Sequence, residues 1–304
     1  MSGLDGIFHV FLTVANNTSC IFAMNLINDE DVSIATVEIN EQFKLTADEL
    51  SEEIKRRKAL NLKRISGLIL SSPSNPTGAM LSEEELKSLC ALCDEENIHF
   101  ISDEIYHGIS YGTQTEATAL SYSSNSIVIN SFSKYYSMSG WRLGWMVIPR
   151  ALVDPINALQ QNMFINAPTI SQTAALKCWE ADTLNELNGH VEKYRKSREI
   201  ILDGLTSFFP DSISIAPADG GFYVYVDLGT NVSPGYGSVE MCKALLEEEF
   251  VAFTPGIDFE DPSSGVGDRR FRISYAGGEN VAREAMTRFQ RFWTSWIKRV
   301  DESK

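Results

Sequence analysis

From Leu45 to Pro149 the chain alternates helix-patterned stretches with short apolar runs, and this alternation restricts the fold more than any other feature. "TADELSEEIKRRKALN" reads as a helix opened by a threonine cap. "ISGLILSSP" reads as a buried strand. "LSEEELKSLCALCDEEN" reads as an amphipathic helix with Leu86, Leu89, Cys90 and Cys93 on one face. Further strands are predicted at "IHFISDEIY", "SIVINSFSK" and "GWMVIP". Strands alternating with helices predict an α/β fold with a doubly wound, mainly parallel sheet, and such sheets bind ligands beyond the carboxyl ends of their strands.

A polar helical stretch from Asp182 to Phe209 leads away from this region, and the pattern then changes. "SISIA", "GGFYVYVDL", "VAFTPG" and "RRFRISYAG" read as short strands, with helices at "SVEMCKALLEEEF" and from Glu279 onward. The 304 residues therefore divide into a large domain, residues 1–181, and an interdomain helix with a smaller C-terminal α+β domain, residues 182–304. The net charge of −15 argues against nucleic acid and anionic membrane as partners, since neither polyanion attracts such a chain. No apolar run reaches the length needed to span a bilayer, and the first residues make a poor signal peptide. Five scattered cysteines fit a reducing compartment, with the cytoplasm as the expected location.

The residues at the predicted strand ends carry the chemistry. Asn75 follows the first buried strand, Asp103 and Tyr106 the second, and Ser131, Ser133 and Lys134 the third. A lysine amine is protonated near neutral pH; desolvation or a nearby positive charge lowers its pKa and makes it a Schiff-base former. Taken alone, Lys134 is a surface lysine in a loop. Its neighbours point further: Ser131 and Ser133 can donate to a phosphate, and Arg142 can grip one through its planar fork. An aldehyde bearing a phosphate would engage all four. Asp103 reads either as a helix N-cap or as the ionised partner of a ring nitrogen. "SPSNPTG" reads as a turn, which is compatible with ligand contact.

In order and spacing, "SNPTG" (74–78), "SDEIY" (102–106), "SFSK" (131–134), "GWRLGW" (140–145) and "FRISYAG" (271–277) resemble the class I/II aminotransferases, pyridoxal 5'-phosphate (PLP) enzymes of fold type I. The resemblance runs from about Glu38 to the C-terminus. It implies transfer of an amino group between an L-amino acid and a 2-oxo acid, with Lys134 bound to the cofactor as an aldimine and then moving the proton. It further implies that Asp103 pairs with the pyridine nitrogen, and that Asn75 and Tyr106 bind the ring's phenolic oxygen. Ser131, Ser133 and Arg142 would hold the phosphate. Arg272 would take the substrate α-carboxylate, with Gly221 and Phe222 nearby. A homodimer is expected by the same resemblance.

Family members usually carry a helix, a glycine-containing phosphate loop and a stacking aromatic before the region matching Glu38, and this chain is short there. Weak cofactor binding and an uncovered sheet edge are the expected consequences. Two other readings stay open: a different PLP reaction on the same fold, such as a β-lyase or cyclising synthase, and an inactive member acting as a binding protein. Cys90-x-x-Cys93 reads as core packing, and His9, His99, His107 and His190 show no ligand spacing, so no metal site is expected. Trp141 and Trp145 are expected to pack around the Arg142 loop. The sequons at Asn16–Ser19 and Asn231–Ser233 carry no weight without a secretory signal.

Overall fold

The computed structural model describes residues 9–14, 32–37, 39–229 and 236–302. Two sheets organise them. The larger is built from β1 (His9–Val14), β2 (Val32–Val37), β3 (Gly67–Ser71), β4 (His99–Asp103), β5 (Ile127–Ser131) and β6 (Gly144–Val147). Their spatial order is β2-β1-β3-β4-β5-β6, parallel throughout except for the antiparallel β5–β6 pair. β3 is not an edge, because β1 pairs with it in register Phe11↔Gly67 to Thr13↔Ile69.

The predicted helices form where the caps place them. Helix α1 (Ala47–Ala59) begins after Thr46, whose backbone N–H is accepted by the Glu49 carboxylate at 2.7 Å. Helix α2 (Glu83–Glu95) begins after Ser82, whose hydroxyl accepts from the Glu85 N–H at 3.2 Å while the Glu85 carboxylate accepts from the Ser82 N–H at 2.6 Å. This reciprocal pair satisfies two helix-end donors. Leu86, Leu89, Cys90 and Cys93 are all buried, against Leu68, Phe100 and Val128 of the sheet. The Cys-x-x-Cys pair is therefore core, as its helical spacing predicts.

Helices α3 (Val153–Met163) and α4 (Thr169–Ala175) follow, and α5 (Ala181–Phe208) carries the chain to the second sheet. That sheet contains β7 (Ser214–Ile215), β8 (Tyr223–Asp227), β9 (Thr254–Pro255) and β10 (Arg270–Ser274), antiparallel in the order β7-β8-β10-β9. Helices α6 (Ser238–Glu249) and α7 (Glu279–Glu302) cover it. Its core gathers Val224, Val226, Leu245, Phe271, Phe289 and Phe292 with Ile201 and Leu205 of α5. Each such side chain contributes roughly 1.5–3 kcal/mol on burial.

The turn before β8 fastens the two sheets together. Gly220 donates its N–H to the Gly78 carbonyl at 2.9 Å, Gly221 to Ile109 at 2.8 Å, and Tyr111 to Asp219 at 2.8 Å. Gly78 stands at φ +67°, and a Cβ there would lie 2.8 Å from the Ala218 Cα. The "SNPTG" loop therefore needs glycine at that position to meet the second sheet.

Candidate active site

Three strands of the large sheet end side by side. Ser71 pairs with Asp103, and Asp103 with Ile129, so the loops carrying Asn75, Tyr106 and Lys134 leave the same edge of the sheet. Because β6 runs antiparallel to β5 with Ser131 opposite Gly144, Arg142 is delivered to that edge as well. A parallel strand would have placed it at the far end. Gly144 permits the close pairing, since a Cβ there would sit 2.8 Å from the Asn130 carbonyl. Phe132, Met138 and Leu143 are buried beneath the loop, and Trp145 and Tyr136 each pack 5.0 Å from Phe132 or 6.4 Å from one another. Trp145 thus braces the loop as expected. Trp141 is more open, 42% exposed, with its N–H donating to the Met138 carbonyl at 3.1 Å and its carbonyl accepting from the Ser171 hydroxyl at 2.7 Å.

Lys134 lies half-buried above two aromatic rings, its Nζ 5.5 Å from the Tyr106 centroid and 5.7 Å from that of Phe222. Burial depresses its pKa, and the positive charges of Arg272 and Arg142 add to the effect, with Asp103 opposing it.

Asp103 ends β4, and no helix begins there, so it is not a helix cap; it closes a local turn by accepting the Ile105 N–H at 3.2 Å. Burial pushes its carboxyl up to about 6, the neighbouring Glu104 adds to this, and Lys134 and His107 partly offset it. Glu104 is turned into the protein. It accepts from the Ser102 hydroxyl at 3.1 Å and the Ala119 N–H at 2.9 Å, and lies 3.5 Å from His107 Nδ1. The two adjacent carboxylates therefore have different fates, and only Asp103 lacks a strong internal partner.

Tyr106 is buried, and burial raises its phenol well above the ordinary tyrosine range, so it is a donor at any physiological pH. It donates to the Tyr223 hydroxyl at 3.2 Å. Arg272, on β10, donates through Nη1 to the Asn75 side-chain oxygen at 2.8 Å and through Nη2 to the Thr254 hydroxyl at 3.3 Å. Its guanidinium lies between two aromatic faces, 4.4 Å from the Tyr223 centroid and 4.6 Å from that of Phe259. Its Nε is buried with no hydrogen-bond partner among the described residues. An unpaired charged donor at such a site costs on the order of 1–3 kcal/mol or more unless a ligand satisfies it.

Gly221 contributes backbone, its carbonyl accepting from the Tyr111 and Tyr275 hydroxyls at 2.6 and 3.2 Å, while the Phe222 ring stands edge-on to Tyr106 at 5.6 Å. Ser131, Ser133 and Arg142 form a neighbouring group. The Ser131 hydroxyl bonds Ser133 Oγ at 2.9 Å and the Leu143 carbonyl at 3.1 Å. The Ser139 hydroxyl donates to the Ser133 carbonyl at 2.8 Å, and Arg142 Nη1 donates to the Ser139 carbonyl at 2.9 Å, leaving the rest of the exposed guanidinium open.

Lys134, Asp103, Tyr106, Asn75, Arg272 and Phe222 thus converge from both sheets. Sequence reasoning missed Tyr223, Thr254 and Phe259, which surround Arg272. One signal existed for Tyr223: a tyrosine in the alternating run "YVYV" of a strand that reads as buried must find a partner for its hydroxyl. No cluster of His, Cys, Asp and Glu able to hold a metal occurs among the described residues. Both sequons lie outside the described residues.

The family model for class I and II aminotransferases matches residues 24–289. The valine–pyruvate aminotransferase of Mycobacterium tuberculosis is 39% identical over 234 residues, covering 77% of this chain and 57% of its own length. The (5-formylfuran-3-yl)methyl phosphate transaminase of Methanocaldococcus jannaschii is 34% identical, covering 75% of this chain and 58% of its own length. The chain therefore spans less than two thirds of these relatives. Among solved structures, an aminotransferase from Mycobacterium tuberculosis superposes with a TM-score of 0.84 at 33% identity, covering 94% of this chain and 70% of that one. Members of this family depend on PLP. By its motifs, its fold and these matches, the chain belongs to the class I and II aminotransferases.

Proposed function

We propose that this protein moves an amino group between an L-amino acid and a 2-oxo acid with the help of PLP. One observation carries the reading. Lys134, Asp103, Tyr106 and Arg272 come from three separate chain segments to one site, where a lysine of depressed pKa faces an arginine with a buried, unpaired Nε.

The donor set fits the cofactor. Lys134 would hold its aldehyde carbon, Asp103 its ring nitrogen, and Asn75 and Tyr106 its phenolic oxygen. Ser131, Ser133 and Arg142 would hold its phosphate through charge-assisted hydrogen bonds. When bound, the cofactor supplies an electron sink that stabilises negative charge at the α carbon of the amino acid.

The chain's own residues supply the rest. The Lys134 amine, uncharged more readily than an ordinary lysine, takes the α proton at Nζ and returns it. Asp103 gains a cationic partner that draws its carboxyl down from about 6 and keeps it ionised. Arg272 orients the substrate by its carboxylate, and its unpaired Nε supports a role for that edge of the fork. The apolar walls of Phe222 and Tyr106 exclude water around Nζ.

A homodimer is part of the proposal: Met163, Phe164, Ile165 and Ile170 are 60–74% exposed along the α3–α4 segment, an apolar surface of the kind that seeks a partner. No helix among the described residues is long and apolar enough to cross a membrane. The free, buried Cys90, Cys93, Cys178 and Cys242 support a reducing compartment, the cytoplasm.

Product analysis with and without an added 2-oxo acid tests the reaction. Transfer that requires the oxo acid supports the proposal. Steady release of ammonia without an acceptor would instead establish a lyase.

A further inference from the structure

Tyr223 touches both halves of the pocket. Its ring face lies 4.4 Å from the Arg272 guanidinium carbon, and its hydroxyl accepts the Tyr106 proton at 3.2 Å. It is itself only 7% exposed and sits on β8, opposite Ser274 and two residues from the partner of Arg272, which is Tyr225. Tyr106 stands edge-on to it at 5.8 Å with the planes 82° apart, the arrangement in which one ring's edge meets the other's face.

We propose that Tyr223 is a positioning residue that couples the carboxylate receptor of the small sheet to the phenol of the large one. The proposal rests on the functional reading above. Two independent contacts support it. The first is cation–π: a desolvated guanidinium over a tyrosine face is held in its plane, and Phe259 on the other side at 4.6 Å completes the clamp. With Nη1 on Asn75 and Nη2 on Thr254, the clamp fixes which edge of Arg272 remains for a carboxylate. The second is proton competition. Tyr106 has one hydroxyl proton, and Tyr223 Oη and any acceptor in the cofactor position must share it. The acceptor strength of Tyr223 therefore sets how strongly Tyr106 can donate to the cofactor's phenolic oxygen.

The two contacts are separable by substitution. Tyr223→Phe keeps the ring and removes the hydroxyl; Tyr223→Leu removes both. Two quantities are measured in each: the pH midpoint of the bound cofactor's absorbance, and the dissociation constant of maleate for the cofactor-free chain by calorimetry. In Tyr223→Phe the Tyr106 proton goes wholly to the cofactor, which favours its deprotonated form. The midpoint falls by about half a pH unit or more, a roughly threefold change in proton affinity, while maleate binding stays within about twofold. In Tyr223→Leu the arginine loses one wall and maleate binding weakens roughly fivefold or more. Tyr106→Phe removes the shared proton, so adding Tyr223→Phe to it leaves the midpoint where Tyr106→Phe alone puts it.

An unchanged midpoint in Tyr223→Phe, or an undiminished shift in the double variant, overturns the coupling. Unchanged maleate binding in Tyr223→Leu overturns the clamp. Wild-type protein that takes up PLP on a lysine other than Lys134 overturns the functional reading itself, and the coupling with it; the maleate measurement on the cofactor-free chain still reads the clamp separately.

Discussion

Arg272 and Asn75, 197 positions apart, meet through a 2.8 Å hydrogen bond from Nη1 to the amide oxygen, so the substrate-carboxylate candidate of the small sheet leans on the loop that leaves β3. Its geometry depends on the planar fork, because one edge serves Asn75 and Thr254 while Nε stays unpaired. Arg272→Lys keeps the charge and loses the fork. Losing one or two charge-assisted bonds, about 1.5–3 kcal/mol each, is expected to raise KM for amino acid and oxo acid together by tenfold or more. The cofactor spectrum should stay as in wild type. Steady-state kinetics with a spectral titration check this; equal loss of cofactor would assign Arg272 to the phosphate or the fold.

Lys134→Ala is expected to remove the covalent attachment of the cofactor and to leave at most trace transamination, a loss on the order of 10³-fold or more. Borohydride reduction followed by peptide mapping should label Lys134 in wild type and nothing in the variant. A label on Lys177, Lys193 or any other lysine refutes the assignment.

Asp103 makes a pH prediction for the cofactor-free protein. Its folded pKa, about 6, lies above the ordinary 3.8, so the folded state holds the proton more tightly than the unfolded state. The stability it contributes is fully present below about pH 3.8 and is lost as pH rises through about 6. Asp103→Asn cannot ionise and escapes this loss. The cofactor-free variant should be more stable than wild type at pH 7.5 by about 2 kcal/mol, after allowance for the solvent-facing part of the side chain, and the gap should close near pH 4. Denaturant unfolding at both pH values measures it. Turnover should fall by orders of magnitude in the same variant, since an unprotonated ring is a poor electron sink. Near-normal turnover would remove Asp103 from its role.

The buried thiols give a simpler reading of the core. Burial pushes Cys90 up to about 11 and Cys93 to about 12. At pH 8 their thiolate fraction is then about a hundredfold or more below that of an exposed cysteine. Site-resolved alkylation of the native protein should leave both unlabelled for hours and label both at once in denaturant. Fast labelling of either in the native state would place α2 off the sheet.

Much of the fold was legible because it rests on local periodicity. Leu86, Leu89, Cys90 and Cys93 recur at helical spacing, and Thr46 and Ser82 announce the starts of α1 and α2; each signal acts within a few residues of itself. The strand ends were legible for the same reason: an apolar run that stops at Asp103, or at Ser131, marks the edge of the sheet. Lys134, Asp103, Tyr106 and Arg142 could be picked out because they stand at those stops.

The environment of Arg272 was not legible. Tyr223, Thr254 and Phe259 come from three elements of the second sheet and its loops, and no spacing in the chain links them. The two tryptophans of one frame differ in a way spacing did not show: Trp141 is 42% exposed while Trp145 packs on Phe132. The sequence by itself determined which segments become helix or strand, and which reactive groups stand at their ends, since caps, alternation and chain breaks act over a few residues. Tertiary structure alone decided that Asp103 and not Glu104 is left without a strong partner, that an antiparallel β6 returns Arg142 to the edge of Lys134, and that Tyr223 bridges Tyr106 and Arg272. Those outcomes depend on strand register and on contacts between residues that are not neighbours in the chain, from Glu104 with Ala119 to Tyr106 with Tyr223, 117 positions apart, and only the packed chain brings such residues within a few ångströms of each other.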